Sequence, residues 1–169
     1  MENGTRKPLI ILNSTVLSNF ATIGELNLLR QLFENTAVTT QNVLAEYEEG
    51  VRLGYYAHDM LEWLTVVELT QEEQQEMALL NRNLGAGEAS CIVVAHRRGW
   101  RLATDDKQAR RYAQTAQIPL SGTLGILTEL VRANIITLQQ ADELLQAMVA
   151  SGYRSPVNSI EELISEAPP

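Results

Sequence analysis

The sequence predicts an α/β fold built on a central, mostly parallel sheet of about five strands, and three observations lead there. Short apolar or β-branched runs alternate with longer segments of helical periodicity along the 169 residues. Capping-box and glycine signals punctuate the helical segments. No internal repeat, low-complexity stretch or linker divides the chain. Residues 1–169 therefore read as one domain, with 151–169 as a candidate C-terminal appendage.

The first run, Pro8-Leu9-Ile10-Ile11-Leu12, is continuously apolar, as in a strand buried on both faces, and ends at the polar pair Asn13-Ser14. Thr22 to Glu25 has the form of a capping box, and Leu26, Leu29, Leu32 and Phe33 follow at helical spacing. Ala37 to Thr40 is a second strand. Val43, Leu44 and Tyr47 begin a further helix with Glu46 in its first turns. Leu64 to Leu69, rich in β-branched residues, is a third strand. Thr70 to Glu73 is a second capping box, opening a helix to about Arg82.

Leu84-Gly85-Ala86-Gly87-Glu88 breaks the chain before an apolar helix through Ala89, Ile92, Val93 and Ala95, which stops at Arg98-Gly99. Trp100 to Thr104 is a fourth strand ending in Asp105-Asp106, and Lys107 to Ala116 is helical. Ile118-Pro119-Leu120 is a short strand that its proline confines to a sheet edge. Gly122 to Ala133 and Thr137 to Met148 are helices, the second with Thr137 and Gln140 as a capping box. After a hinge-like stretch at 152–156, Ser159 to Glu162 caps a last short helix. Strands alternating with helices mean βαβ units, and right-handed crossovers place helices on both faces.

Composition excludes several classes. Apolar residues make up 45% and charged residues 20%, which argues for a globular protein and against disorder. No apolar run approaches the roughly 20 residues of a membrane span. Met1 to Lys7 is polar and lacks the apolar core of a secretion signal. A lone Cys91 fits a reducing, cytoplasmic setting. The net charge of −8 argues against phosphate binding by its sum. Its distribution argues the other way: Arg97, Arg98, Arg101, Lys107, Arg110 and Arg111 are six of the thirteen basic residues, all within positions 97–111.

Ligands of open parallel sheets bind outside the carboxyl ends of the strands. Asn13 ends the first strand, and Asp105 and Asp106 end the fourth. Glu46 lies just inside the helix after the second strand, and Glu88 opens the helix leading to the fourth. Taken singly, each has a plain structural role: a solvated helix residue, a charge favoured at a helix N-terminus, or a cap. Taken together, they put acids at several strand ends on one edge of the sheet. Converging carboxylates repel unless something positive fills the space between them. Hard divalent cations, Mg²⁺ or Mn²⁺, suit such oxygen ligands, and basic residues 97–111 flank the cluster as a rail for phosphates.

His58, His96 and Cys91 lack zinc spacing, and Gly85-Ala86-Gly87 lacks the lysine and hydroxyl of a phosphate loop. Cys91 reads as buried and inert, and Trp63 and Trp100 read as core.

The pieces Leu12-Asn13-Ser14-Thr15-Val16-Leu17-Ser18-Asn19-Phe20, Val43-Leu44-Ala45-Glu46, Leu84-Gly85-Ala86-Gly87-Glu88-Ala89 and Ala103-Thr104-Asp105-Asp106-Lys107-Gln108-Ala109-Arg110 resemble, in order and spacing, the PIN-domain nucleases. Gly122-Thr123-Leu124-Gly125-Ile126-Leu127 continues the pattern, and the similarity runs from about Pro8 to Ser159. This family is best known as the toxin half of bacterial toxin–antitoxin pairs. The resemblance implies a three-layer α/β/α sandwich, a Mg²⁺- or Mn²⁺-dependent ribonuclease that hydrolyses RNA phosphodiesters, an antitoxin partner and a homodimer. It implies metal-site roles for Glu46, Glu88 and Asp105, with Asp106 as helper, and a supporting hydroxyl at Thr15 or Ser14; the basic segment read from the residues themselves supplies Lys107, Arg110 and Arg111 as the nucleic-acid contacts.

One position departs from the pattern. The family usually has Asp at the end of the first strand; here it is Asn13, which still offers a metal an oxygen but is neutral and no base. Three readings are open: a natural variant in which Asp106 compensates, a degenerate module that binds nucleic acid or protein without cutting, or a substitution introduced to silence the enzyme. A separate reading makes the tail from Thr137 onward an arm for a partner or a second copy.

Overall fold

A computed structural model describes residues 9–58 and 61–165. Pro8, the polar stretch Met1–Lys7 and residues 166–169 lie outside them, so the reading of the N-terminal segment is not addressed by the structure. The strands are β1 (Ile10–Leu12), β2 (Ala37–Thr40), β3 (Thr65–Val67), β4 (Arg101–Ala103) and β5 (Leu120–Ser121). The helices are α1 (Ser14–Thr22), α2 (Leu26–Phe33), α3 (Gln41–Arg52), α4 (Gln71–Leu80), α5 (Ala86–Arg98), α6 (Lys107–Thr115), α7 (Thr123–Arg132), α8 (Leu138–Ala150) and α9 (Glu161–Ser165).

All five strands are parallel, in the order β3-β2-β1-β4-β5. The expected three-layer α/β/α architecture is what forms, with helices flanking the sheet. β1 lies at the centre, bonded to β2 on one side and β4 on the other, and its three residues are buried. Its uninterrupted apolar run follows from that position, because a strand covered on both faces has no solvent side. β3 lies at one edge and is mostly exposed. β5 forms the other edge, where Pro119 precedes it as expected.

Helix α5 is buried nearly all round from Ala89 to Ala95 and lies across β1, β2 and β4. A helix apolar on every side belongs inside a protein, not at its surface. It stops at Gly99, whose φ of 67° is the left-handed conformation that favours glycine there. α4 and α6 pack on α5, while α1, α2, α7 and α8 form a second contact group. Phe20, Leu17, Leu29, Ile126, Leu127 and Leu130 fill the core of that group. Each such side chain contributes about 1.5–3 kcal/mol by leaving water.

The structure corrects the sequence reading in three places. A helix, α1, fills the stretch between Asn13 and Thr22 where no helix is expected. Its buried residues Val16, Leu17, Phe20 and Ala21 sit at helical spacing, and Asn13 is its N-cap. Thr22 closes α1 instead of capping α2: its hydroxyl donates to the Ser18 carbonyl at 2.7 Å, and Glu25 stands at the N-cap of α2 with no side-chain cap bond. Trp63 and Trp100 are only partly buried, rimming the core instead of filling it. The capping boxes at Thr70–Glu73 and Thr137–Gln140 are both formed.

The chain after the 152–156 stretch folds back. Ile160 is fully buried, and Asp142 accepts from the Ile160 N–H and the Ser159 hydroxyl. Among the described residues no helix is long and apolar enough to cross a membrane.

Candidate functional site

The strand order runs outward in opposite directions from β1 and β4, so the crevice at their carboxyl ends is the topological switch point of the sheet. Asn13 follows β1 directly, and Asp105 and Asp106 follow Thr104 just beyond β4. Both strand ends are fixed by the ladder: Leu12 pairs with Ala103, and the Asn13 N–H donates to the Ala103 carbonyl at 3.0 Å.

Asn13 is fully buried. Its Oδ1 accepts from the Ser14 N–H at 2.8 Å, and its Nδ2 donates to Thr104 Oγ1 at 3.0 Å. The amide thus ties the ends of β1 and β4 together. Burial without loss is possible because each polar end has a partner.

Glu46 reaches the same crevice from the second turn of α3. Ser14 Oγ donates to its Oε2 at 2.7 Å, and the Gly87 N–H, in the first turn of α5, donates to its Oε1 at 2.9 Å. A Cβ on Gly87 would lie within 2.5 Å of that carboxylate, so only glycine lets the two approach. Glu88 follows on α5. A Cβ on Gly85 would lie 2.3 Å from Glu88 Oε2 and 3.9 Å from Glu46 Oε1, which puts the two glutamates side by side. Burial raises the Glu88 carboxyl above its ordinary value, and the nearby charges of Glu46 and Asp106 raise it further.

The two aspartates diverge. Asp106 caps α6, accepting from the Ala109 N–H at 2.7 Å, and its charge is felt at Glu88. Asp105 turns toward α7. Its Oδ1 accepts from the Thr123 N–H at 2.9 Å, and its Oδ2 accepts from Asn19 Nδ2 at 3.1 Å and from the Thr123 hydroxyl. Thr15 Oγ1 accepts from the Asp105 N–H at 3.0 Å, so the hydroxyl at 15 supports the Asp105 backbone while the hydroxyl at 14 supports Glu46. Glu46 and Glu88 therefore lie together beside Asn13, Asp106 is close enough for its charge to bear on Glu88, and Asp105 is engaged in a network with Asn19 and Thr123. Neither partner was singled out from the sequence. Asn19 lies one helical turn beyond Thr15 in the segment that α1 occupies, so recognising that helix is the signal that finds it.

The basic segment is largely committed elsewhere. Arg97 pairs with Glu76, Arg98 with Glu73, and Arg101 with Glu129. Arg110 Nη1 donates to the carbonyls of Thr104 and Ser121 at 2.8 and 3.0 Å, strutting β4 to β5. Among the described residues Lys107 and Arg111 form no ion pair. His96 is a surface residue 3.9 Å from Glu76, and Cys91 is a buried free thiol.

Among the described residues no three His, Cys, Asp or Glu side chains meet as a ready-made cation cage. The donor set nevertheless fits a magnesium-like ion. Mg²⁺ keeps several waters and takes one or two carboxylates plus substrate phosphate, so adjacent Glu46 and Glu88 suffice. Among the described residues no ion pair neutralises Glu46, Glu88, Asp105 or Asp106.

No curated protein matches the chain. A family model described as PIN domain matches residues 9–168, which takes in every strand of the sheet and every residue of the acid cluster. On that match, the chain belongs to the PIN-domain family.

Proposed function

We propose that the protein is a divalent-metal-dependent ribonuclease that hydrolyses RNA phosphodiesters at the crevice beyond β1 and β4. One observation carries this reading: Glu46 and Glu88 stand side by side at the switch point, tied to Asn13 through Ser14, with no cationic side chain paired to either among the described residues. Such a concentration of like charge is costly unless a cation completes it.

Glu46 and Glu88 would hold Mg²⁺ or Mn²⁺, with Asp106 nearby and the Asn13 amide as a neutral neighbour. The metal supplies Lewis acidity toward a phosphodiester oxygen and lowers the pKa of water at the site. The chain's own residues do the positioning. Ser14 and the Gly87 N–H hold both oxygens of Glu46, and Asn13 fixes β1 against Thr104. Lys107 and Arg111 meet the phosphate backbone. Asp105, assigned from sequence to the metal, acts here as the residue that fastens α7 and α1 behind the site.

A toxin role with a protein antitoxin, a homodimer, a cytoplasmic location and a single domain that includes residues 151–165 belong to this proposal. The buried Ile160 and the unpaired buried thiol of Cys91 support the last two.

Calorimetric titration with Mn²⁺ tests the metal site. Saturable heat that disappears in Glu88→Gln supports it; no heat, together with intact RNA even after Asn13→Asp, removes it. A second reading, a module that binds RNA without cutting it, is favoured by the Asn13 amide, which is bonded at both its oxygen and its nitrogen. Cleavage by trace amounts of the unmodified chain excludes that reading.

A further inference from the structure

A groove of about 390 Å³ runs along α6, within the size range of small-molecule sites. Gln108, Arg111 and Tyr112 line one wall, spaced i, i+3 and i+4 on one face of the helix. Leu80, Asn83 and Leu84 line the other, from the end of α4 and the turn before α5. Two of its lining residues neighbour the acid-bearing turns in the chain. Gln108 is the second residue of the helix that Asp106 caps, and Leu84 precedes Gly85, which Glu88 crowds.

Its chemistry is that of a base-and-phosphate site. Tyr112 is 38% exposed, a large ring presented to solvent beside apolar Leu80 and Leu84. Among the described residues the side chains of Gln108 and Asn83 make no hydrogen bond, so both amides have donors and acceptors to offer. Arg111 has no acidic partner there, whereas Arg97, Arg98 and Arg101 each have one. In a chain of net charge −8, an arginine with no acidic partner among the described residues is suited to an anion.

We infer that this groove takes an unpaired base of single-stranded RNA next to the phosphodiester that is cut, with Tyr112 as its stacking platform. Gln108 and Asn83 meet the base edge, and Arg111 neutralises the adjoining phosphate. The position of the cut bond rests on the nuclease reading; the base site itself does not. Bases in an A-form duplex are stacked and paired and cannot enter, so the substrate class is single-stranded RNA, loops or ends. Base–aromatic stacking tolerates all four bases, with any preference arising from the two amides.

The test is fluorescence anisotropy of the full chain with a short labelled single-stranded RNA, in EDTA so that no metal contributes. Tyr112→Ala is expected to weaken binding about tenfold, and Tyr112→Phe to restore it. Arg111→Ala is expected to reduce the slope of log K against log salt by about 0.7. The same RNA annealed into a duplex should be indifferent to Tyr112. Unchanged affinity in Tyr112→Ala, or no affinity of the unmodified chain for single strands, overturns the groove. The Mn²⁺ titration separates this from the nuclease reading. Tyr112-dependent RNA binding without Mn²⁺ binding keeps the groove and removes the nuclease. Mn²⁺ binding with no effect of Tyr112→Ala does the reverse.

Discussion

The N–H of Gly87 donates to Glu46 Oε1 at 2.9 Å, and the carboxylate of Glu46 occupies the space that a Cβ on Gly87 would need. Gly87→Ala places a methyl where that carboxylate lies. The neighbour displaced is the end of a flexible side chain, so the fold should survive, and alanine is the better helix former by roughly 1 kcal/mol. The expected outcome is an unchanged or higher melting temperature with Mn²⁺ affinity reduced about 10–100-fold, the range for disturbing a ligand's support. Ser14→Ala, which removes the other partner of Glu46, should weaken Mn²⁺ to a similar degree. Paired calorimetry and thermal melts check both variants.

Glu88 carries a destabilising charge. Burial first, then Glu46 and Asp106, hold its carboxyl above the ordinary value of 4.5. The folded protein therefore favours the protonated form, and stability falls as pH rises through that raised value. Without metal, Glu88→Gln should raise the melting temperature at neutral pH, by an amount that solvent screening of this half-exposed group keeps small. In Mn²⁺ the order should reverse, because only the unmodified chain gains from binding. Melts of both proteins with and without Mn²⁺ read this directly; a variant that is less stable in both conditions speaks against the cluster.

Asp105 and Asp106 are adjacent but should behave oppositely. Asp106→Asn keeps an effective helix cap while removing the charge, so stability should hold and Mn²⁺ affinity should fall at least tenfold. Asp105→Asn weakens the bonds to Thr123 and Asn19 and should cost about 1–2 kcal/mol of stability, with Mn²⁺ affinity little changed. Denaturant titrations beside Mn²⁺ calorimetry separate the two. The opposite pattern would return Asp105 to the metal.

Far from the crevice, Arg98 holds the buried carboxylate of Glu73, which also caps α4. The Arg98 guanidinium keeps the Glu73 carboxyl below its ordinary 4.5. The stability from this pair is present above the ordinary value and is lost as pH falls through the lowered one. Arg98→Ala should cost about 2–4 kcal/mol at neutral pH by leaving Glu73 buried and unpaired. The cost should shrink on acidification. Urea denaturation at neutral and acid pH measures both.

The architecture was legible wherever local signals and long-range packing agreed. The apolar run before Asn13, the boxes at Thr70 and Thr137 and the stop at Gly99 each carry a backbone meaning that the sheet did not need to change. α1 was not legible, because Ser14, Thr15, Ser18 and Asn19 are poor helix formers and the helix is held by burying Val16, Leu17 and Phe20. For the site, sequence order named the acids but not which way each carboxylate turns. Asp105 and Asp106 are alike in sequence; Thr123, eighteen residues on, and Asn19, eighty-six residues back, bond one of them and not the other. In the basic segment the partners of Arg97, Arg98 and Arg101 were hidden for the same reason, since Glu76, Glu73 and Glu129 reach them only through the fold.

Cleavage of single-stranded RNA in Mn²⁺ tests the central claim most directly. The unmodified chain should cut, and cutting should stop in EDTA and in Glu88→Gln. RNA left intact by the unmodified chain and by Asn13→Asp alike would contradict a hydrolytic site at the ends of β1 and β4.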